Sequence, residues 1–265
     1  MRSKTVKTWA AGNTIKLLGR ETWNSMRIIL MLLILCGVIY PLILFGVGQL
    51  AFNQQANGSL ITDAHGQVIG SKLIGQYWTK PQYFHGRPSA TVNPNTGQPE
   101  PYAADNSGGS NLGPTNPQLI EGNGREVTVA PGTPPPAGST PVPGKPHTYY
   151  VPGTYLGVKT YAELFRKENG LSPNTPLPAD IITASGSGLD PDISVEAALL
   201  QVNRVLNARR ALGGKNAAIT PEKVKALIAQ DTQARDLAIL GEPRVNVLEL
   251  NLALDATYGP PTARH

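Results

Sequence analysis

The chain has 265 residues, a formal net charge of +5, 15% charged residues and 6% aromatic residues. That length suits one sizeable domain with extensions, and the composition excludes both a strongly charged disordered tail and an aromatic-rich binding module. A lone cysteine, Cys36, excludes an internal disulfide, and His65, His85, His147 and His265 are too scattered for metal-ligand spacing, so no intrinsic metal or cofactor is expected.

At the N-terminus, Arg2, Lys4, Lys7, Lys16, Arg20 and Arg27 stand against Glu21 alone. A basic surplus beside an apolar run points to membrane topology and lipid before it points to nucleic acid. The run is Ile28 to Phe52, "IILMLLILCGVIYPLILFGVGQLAF", 25 residues without a formal charge. As a helix it crosses an apolar layer of ~30 Å. Pro41 lies mid-span and should kink it by removing a donor and crowding the preceding turn. Gly37, Gly46 and Gly48 permit close approach by another helix, so Gly37, Pro41 and Gly46 are candidate partner contacts. A cleaved signal peptide is the alternative. The run is long for a signal core and no small-x-small site follows cleanly, so an uncleaved anchor is expected. The chain then divides into a basic tail (1–26), a transmembrane helix (27–52) and an extracytoplasmic domain (53–265). The next basic residue is Lys72. The positive-inside rule therefore predicts a cytoplasmic N-terminus and an external C-terminal domain.

Beyond a polar tether at Asn53 to Gly58, Leu60 to Tyr77 reads as a hairpin turning at His65-Gly66. "YWTKPQYFHGRPSA" (Tyr77–Ala90) is aromatic-rich and broken by prolines, and "DNSGGSNLGPTNPQ" (Asp105–Gln118) is a loop dense in turn residues. Glu121 to Gly153 contains "APGTPPPAGSTPVPGKP", a composition that favours extended, solvated backbone; it reads as an inserted loop or linker. Tyr161 to Asn169 predicts a short helix. Ser194 to Leu212 predicts the strongest helix, with Ser194 as N-cap, Glu196 in the first turn, a stripe of Leu199, Val202, Val205, Leu206 and Leu212, and an end at Gly213-Gly214. Thr220-Pro221-Glu222 starts another helix. Val245 to Leu254, "VNVLELNLAL", alternates leucines on one face from Leu248 onward and predicts a half-buried strand. The fold class is a single N-terminal transmembrane helix plus one mixed α/β domain.

Known catalytic patterns are missing. Neither Ser185 nor Ser187 has the flanks of a Gly-x-Ser-x-Gly elbow. No Ser-x-x-Lys occurs and no Gly-x-x-x-x-Gly-Lys-Ser/Thr loop. "ITASGSGLDPDIS" leads into the Ser194 helix, whose first amides could bind an anion. The simpler reading gives those amides to Asp190, Asp192 and Ser194, whose carboxylates would also repel phosphate. Arg87 in "GRPSA" and Arg244 in "GEPRVNV" would each hold a carboxylate of the same domain or contact a partner chain. Arg204, Arg209 and Arg210 predict a solvated helix face.

In order, the apolar span, "GRPSA" (Gly86–Ala90), "SGGSNLGPTN" (Ser107–Asn116), "ITASGSGLDPDIS" with "EAALLQVNRV" (Glu196–Val205), and "GEPRVNVLELNLALD" (Gly241–Asp255) resemble the C subunit family of the bacterial Kdp potassium-transporting P-type ATPase. The long tail at 1–24 and the proline-rich stretch at 121–153 depart from that pattern. The resemblance implies a noncatalytic accessory subunit in the inner membrane. Its partners would be a channel-like potassium-translocating subunit and a P-type ATP-hydrolysing subunit, whose Asp-Lys-Thr-Gly signature this chain lacks. It also implies a catalytic chaperone that raises the ATP affinity of the hydrolysing subunit, with Ser185, Gly186, Ser187, Gly188 and Gln201 as nucleotide-contact candidates and Arg87, Asn111 and Arg244 as partner-contact candidates. External placement conflicts with direct contact to cytoplasmic ATP: the resemblance then requires the reverse orientation or an indirect effect through the span, and the six-to-one charge signal favours the external placement. A membrane-anchored envelope binding protein and an anchored hydrolase with a nonstandard site are the competing readings.

Overall fold

The structure, a computed structural model, describes residues 5–63, 65–136, 139–151 and 153–260, with side chains described from Thr14 and not for residue 150. The chain separates into a helical unit before Leu60 and a mixed unit from Leu60 onward.

The first unit is helix α1 (Thr5–Ile34), a π-helical turn (Leu35–Ile39), α2 (Tyr40–Ala51) and the short α3 (Asn53–Ala56). Thr14 to Ala51 is long and apolar enough to cross a membrane. The π turn falls just before Pro41. Proline lacks the N–H of a regular helix, and its ring collides with the carbonyl one turn back. Here the turn ahead of it widens, and the Tyr40 amide bonds the Leu35 carbonyl five residues back. The predicted disturbance at Pro41 is thus a π-bulge, one of the recognised ways a helix absorbs proline.

The second unit opens with the hairpin β1 (Leu60–Thr62) and β2 (Val68–Ser71), antiparallel as the Leu60–Tyr77 pattern predicts. A short helix α4 (Gln118–Glu121) follows. Within 121–153 the chain builds a three-stranded antiparallel sheet, β3 (Arg125–Thr128), β4 (Thr140–Pro141) and β5 (Thr148–Val151), ordered β3-β5-β4. Helix α5 (Val158–Asn169) leads to a 3-10 turn at Ala179–Ile181. Then come β6 (Asp192–Ser194), α6 (Val195–Arg210), a 3-10 turn at Gly214–Ala218, α7 (Pro221–Asp231), β7 (Thr232–Gln233), β8 (Arg244–Asn246) and α8 (Val247–Tyr258). Strands β6-β8-β7 form a second antiparallel sheet.

The two predicted caps hold. Ser194 accepts the Ala197 amide and Thr220 accepts the Lys223 amide, with Pro221 in the first helical position. The predicted strand at Val245–Leu254 does not hold: only Arg244–Asn246 is strand, and the leucines lie on α8. The leucine alternation has a strand period, but the same run carries a helical one as well. Val247, Leu250, Asn251, Leu254 and Tyr258 are also spaced for one helix face, and all five are buried. Asn246 decides between them. Its side chain accepts the Glu249 amide and so starts a helix.

The core lies between α5, α6, α7, α8 and the β6-β8-β7 sheet. Phe84, Ala197, Val205, Val224, Val245, Leu250 and Leu254 are fully excluded from solvent. At ~25 cal/mol per Å² of apolar surface, these side chains dominate the driving force for folding. Leu199 of the predicted α6 stripe is 42% exposed. The buried face of α6 instead includes Gln201 and Arg209, so the predicted solvated arginine face holds only at Arg210, exposed in the last turn: Arg209 is fully buried, and Arg204 is held by backbone carbonyls.

Candidate functional site

Site geometry starts from Asp190-Pro191-Asp192, the end of the glycine-serine loop that precedes α6. Arg87 Nη1 lies 2.7 Å from Asp190 Oδ2, and Arg244 Nε lies 3.1 Å from Asp192 Oδ2. Arg87 and Arg244, both candidates for a partner contact, therefore converge on two carboxylates separated by one proline. Asp190 also accepts the Asp192 amide at 3.0 Å, and Asp180 accepts both the amide and the hydroxyl of Ser194. Burial, then the neighbouring charge of Asp190, holds the Asp192 carboxyl above its ordinary value. Three carboxylates thus crowd the start of α6, where the helix dipole favours negative charge. An external anion would meet repulsion there.

The loop itself is knotted to the other motif segments. The Ser185 amide donates to the Pro88 carbonyl, the Gly108 amide to the Ser187 carbonyl, and the Ser89 hydroxyl to the Gly188 carbonyl. Ser107 Oγ also donates to the Ser187 carbonyl, and Ser187 Oγ accepts the Leu189 amide. Gly188 has φ +70, and a Cβ there would lie 2.4 Å from Thr91 Cγ2 and 2.5 Å from the Gly108 carbonyl oxygen. Ser185 is buried, whereas Gly186 and Ser187 are exposed. Asn111, at φ +54, is exposed on the neighbouring loop. The segments around Arg87, Ser107 and Gly188 meet here by hydrogen bonds, and Arg244 joins through the pairing of β8 with β6.

Gln201 stands apart from the exposed side of that loop. It is fully buried; its Oε1 accepts the His85 amide at 2.8 Å and Arg204 Nη2 at 2.6 Å, while its Nε2 donates to the His85 carbonyl at 3.1 Å. Asn251 on α8 treats Phe84 the same way. Arg204 adds bonds to the carbonyls of Pro81 and Tyr83 and to Asn169 Oδ1. Arg209 bonds Asp255, the Gln82 carbonyl and the Gly259 carbonyl, and lies 5.1 Å from the Tyr83 ring centroid. The proline-broken stretch Pro81–His85 is therefore fastened by four polar side chains from α6 and α8. The sequence marks the stretch as irregular but not its anchors, because polar residues at helical spacing look like a solvated face.

Beside this stretch lies a cavity of about 460 Å³, lined by Tyr77, Trp78, His85, Arg87, Tyr102, Tyr161, Phe165 and Glu168 among others. His85 Nδ1 stands 3.5 Å from Glu168 Oε2, and that hydrogen bond holds the Glu168 carboxyl below its ordinary value. In the first unit, Gly37 lies in the π turn, exposed, and Gly46 has open space where a Cβ would stand.

Comparison with known proteins places these segments in a common setting. A family model described as "K+-transporting ATPase, c chain" (KdpC) matches residues 22–144 and 154–256. The chain is 41% identical over 233 residues to the potassium-transporting ATPase KdpC subunit of Methylobacterium nodulans, covering 86% of this chain and 92% of that protein. It is 42% identical over 219 residues to the protein of the same name from Paraburkholderia phytofirmans, covering 83% and 88%. For that of Caulobacter vibrioides the figures are 43% over 228 residues, covering 86% and 88%.

Proposed function

The chain belongs to the KdpC family, the c chain of K+-transporting ATPases, and we propose that it is an accessory subunit that braces the potassium-translocating subunit from outside while its helix joins the transmembrane bundle. The observation that supports this most is the convergence of the motif segments on each other. Arg87, Ser89, Ser107, Gly188 and Arg244 are all engaged within the domain. Such a knot makes a rigid body suited to holding a partner.

Orientation follows from Arg2, Lys4, Lys7, Lys16, Arg20 and Arg27 ahead of the span, which the positive-inside rule keeps in the cytoplasm of the inner membrane. The soluble unit then lies outside, away from cytoplasmic ATP. A chaperone effect on the ATP affinity of the hydrolysing subunit would be transmitted through the span, whose π turn at Leu35–Ile39 and exposed Gly37 offer a contact surface for another helix. Ser185–Gly188 is then a structural junction rather than a nucleotide cradle.

Two measurements test this. In a chain with Cys36→Ser, an impermeant thiol reagent should label Ser187→Cys in intact cells; labelling only after the membrane is breached refutes the external placement. Extraction in mild detergent should recover the chain with a polytopic protein and a P-type ATPase, and the complex should require less ATP for half-maximal hydrolysis than one lacking the chain. A single monodisperse chain would favour an anchored binding protein instead.

A further inference from the structure

The hairpin from β7 to β8 ends in an unusual turn. Leu237, Ile239 and Leu240, within four consecutive residues at the tip, are 84%, 75% and 56% exposed. Leu237 and Ala238 both hold left-handed backbone, at φ +53 and +64. Glycine or asparagine adopts that conformation at lower cost, and neither stands at these positions. Strain of this kind persists where the surroundings enforce it, and it clusters at functional sites.

The tip has a defined shape. The amides of Asp236 and Leu240 each bond the other's carbonyl at 2.9 Å, and Ile239 and Ala238 donate to the carbonyls of Asp236 and Arg235. Arg235 pairs with Glu242 at 2.6 Å, and Arg244 reaches Asp236 at 3.6 Å as well as Asp192. The result is an aliphatic knob on a base of charge pairs.

Two kinds of surface could cover it. Segments that seat in lipid combine apolar residues with Trp or Tyr and with basic residues free to meet headgroups. Thr232 to Val245 contains no aromatic residue, and both of its arginines face carboxylates. An apolar centre with a charge-balanced polar rim is instead the anatomy of a protein contact. Three side chains fall well short of the ~800 Å² per partner of a self-sufficient interface. The knob therefore suits an added contact inside an assembly held together elsewhere, as the accessory-subunit reading supplies.

Resting on that reading, which sets this domain against the potassium-translocating subunit, we propose that the knob formed by Leu237, Ile239 and Leu240 seats in an apolar socket on that subunit. The test uses the whole complex extracted from membranes. A photoreactive phenylalanine derivative at Ile239 should yield an adduct with the potassium-translocating polypeptide, and the same probe at exposed Lys225 on α7 should not; an adduct with the ATP-hydrolysing polypeptide instead would overturn the proposal. Leu237→Ser, Ile239→Ser and Leu240→Ser together should cut partner recovery severalfold in stringent detergent, with the chain's own unfolding temperature unchanged or higher. Adducts with lipid alone, or none, while the unmodified chain still recovers its partners, would overturn the docking and leave the accessory role standing. Failure of the unmodified chain to recover partners would overturn both.

Discussion

The Asn251 side chain closes a two-bond ring with the backbone of Phe84, accepting its amide at 2.8 Å and donating to its carbonyl at 3.0 Å. Both residues are fully buried. One residue on, Gln201 from α6 repeats the arrangement on His85. Two helices thus substitute side-chain amides for the strand partner that the proline-broken segment cannot have. Asn251→Leu would leave two buried backbone groups unpaired, at ~1–3 kcal/mol each. Chemical unfolding of the detergent-solubilised chain should show a loss of about 2–5 kcal/mol. Asn251→Asp keeps an acceptor but loses the donor, so it should not restore stability. A loss under 1 kcal/mol for the leucine variant would mean that this ring is not an anchor.

Arg209 is fully buried and its charge is met by Asp255 Oδ1 at 2.6 Å. Removing one member of a buried pair strands the other, typically costing ~3–5 kcal/mol. Arg209→Met should reach that range. Arg209→Lys should recover little, because an ammonium cannot reproduce the planar fork that serves Asp255, Gln82 and Gly259 together. Replacing both Arg209 and Asp255 by apolar residues should be less damaging than Arg209→Met alone. A double-mutant cycle on unfolding free energies checks this.

Much of this architecture was legible in the sequence, and the failures share a physical cause. Ser194, Thr220-Pro221 and the charge-free span were readable because caps and membrane helices depend on local chemistry. Gln201, Arg204 and Arg209 were not, because their partners lie more than a hundred residues away at Pro81–His85. The polar helix positions looked solvated for lack of any local sign of those carbonyls. Val247 to Leu254 failed for another reason: the leucines at every second position have a strand period, while Val247, Leu250, Asn251 and Leu254 in the same run have a helical one, and the cap at Asn246 separates them. The joining of Arg87 and Arg244 to one Asp-Pro-Asp was half visible, since an intramolecular carboxylate was one of two options the sequence left open.

Gly188 and Gly186 offer a paired test of the loop. Gly188→Ala puts a methyl against Thr91 and the Gly108 carbonyl in left-handed backbone, and should destabilise by roughly 2 kcal/mol or more. At Gly186 nothing lies within 4 Å of a new Cβ, so Gly186→Ala should be within ~0.5 kcal/mol of neutral. If the loop is a junction, the ATP requirement of the assembled complex should be unchanged by Gly186→Ala. A raised requirement with unchanged stability would point back to a nucleotide role.

Tyr83 contributes to the alkaline limit of the fold, alongside Tyr102, Tyr155 and Tyr161, whose phenols burial also pushes up. Burial, followed by its bond to Asp255, pushes the Tyr83 phenol from 10.0 up to about 12. The folded state holds this proton more tightly than the unfolded state. The associated stability is therefore fully present below pH 10 and is lost as pH rises through about 12. Unfolding free energies measured across that window should fall with pH, and Tyr83→Phe should make the decline shallower while lowering the unfolding free energy at neutral pH by the lost hydrogen bond, ~1 kcal/mol. An undiminished decline in the variant would assign it to other groups.

Ala238 separates strain from shape at the hairpin tip. Its left-handed φ of +64 costs an alanine ~1–2 kcal/mol, and asparagine visits that region more readily. Ala238→Asn should therefore raise unfolding free energy by about 0.5–1 kcal/mol, since the substitution touches neither the Asp236–Leu240 bonds nor the ion pairs below them. Partner recovery should be kept, because Leu237, Ile239 and Leu240 hold their positions in the more relaxed turn. If stability rises but partner recovery falls, the strained conformation itself is what the partner reads, and the left-handed backbone at Leu237 and Ala238 belongs to recognition rather than to the turn alone.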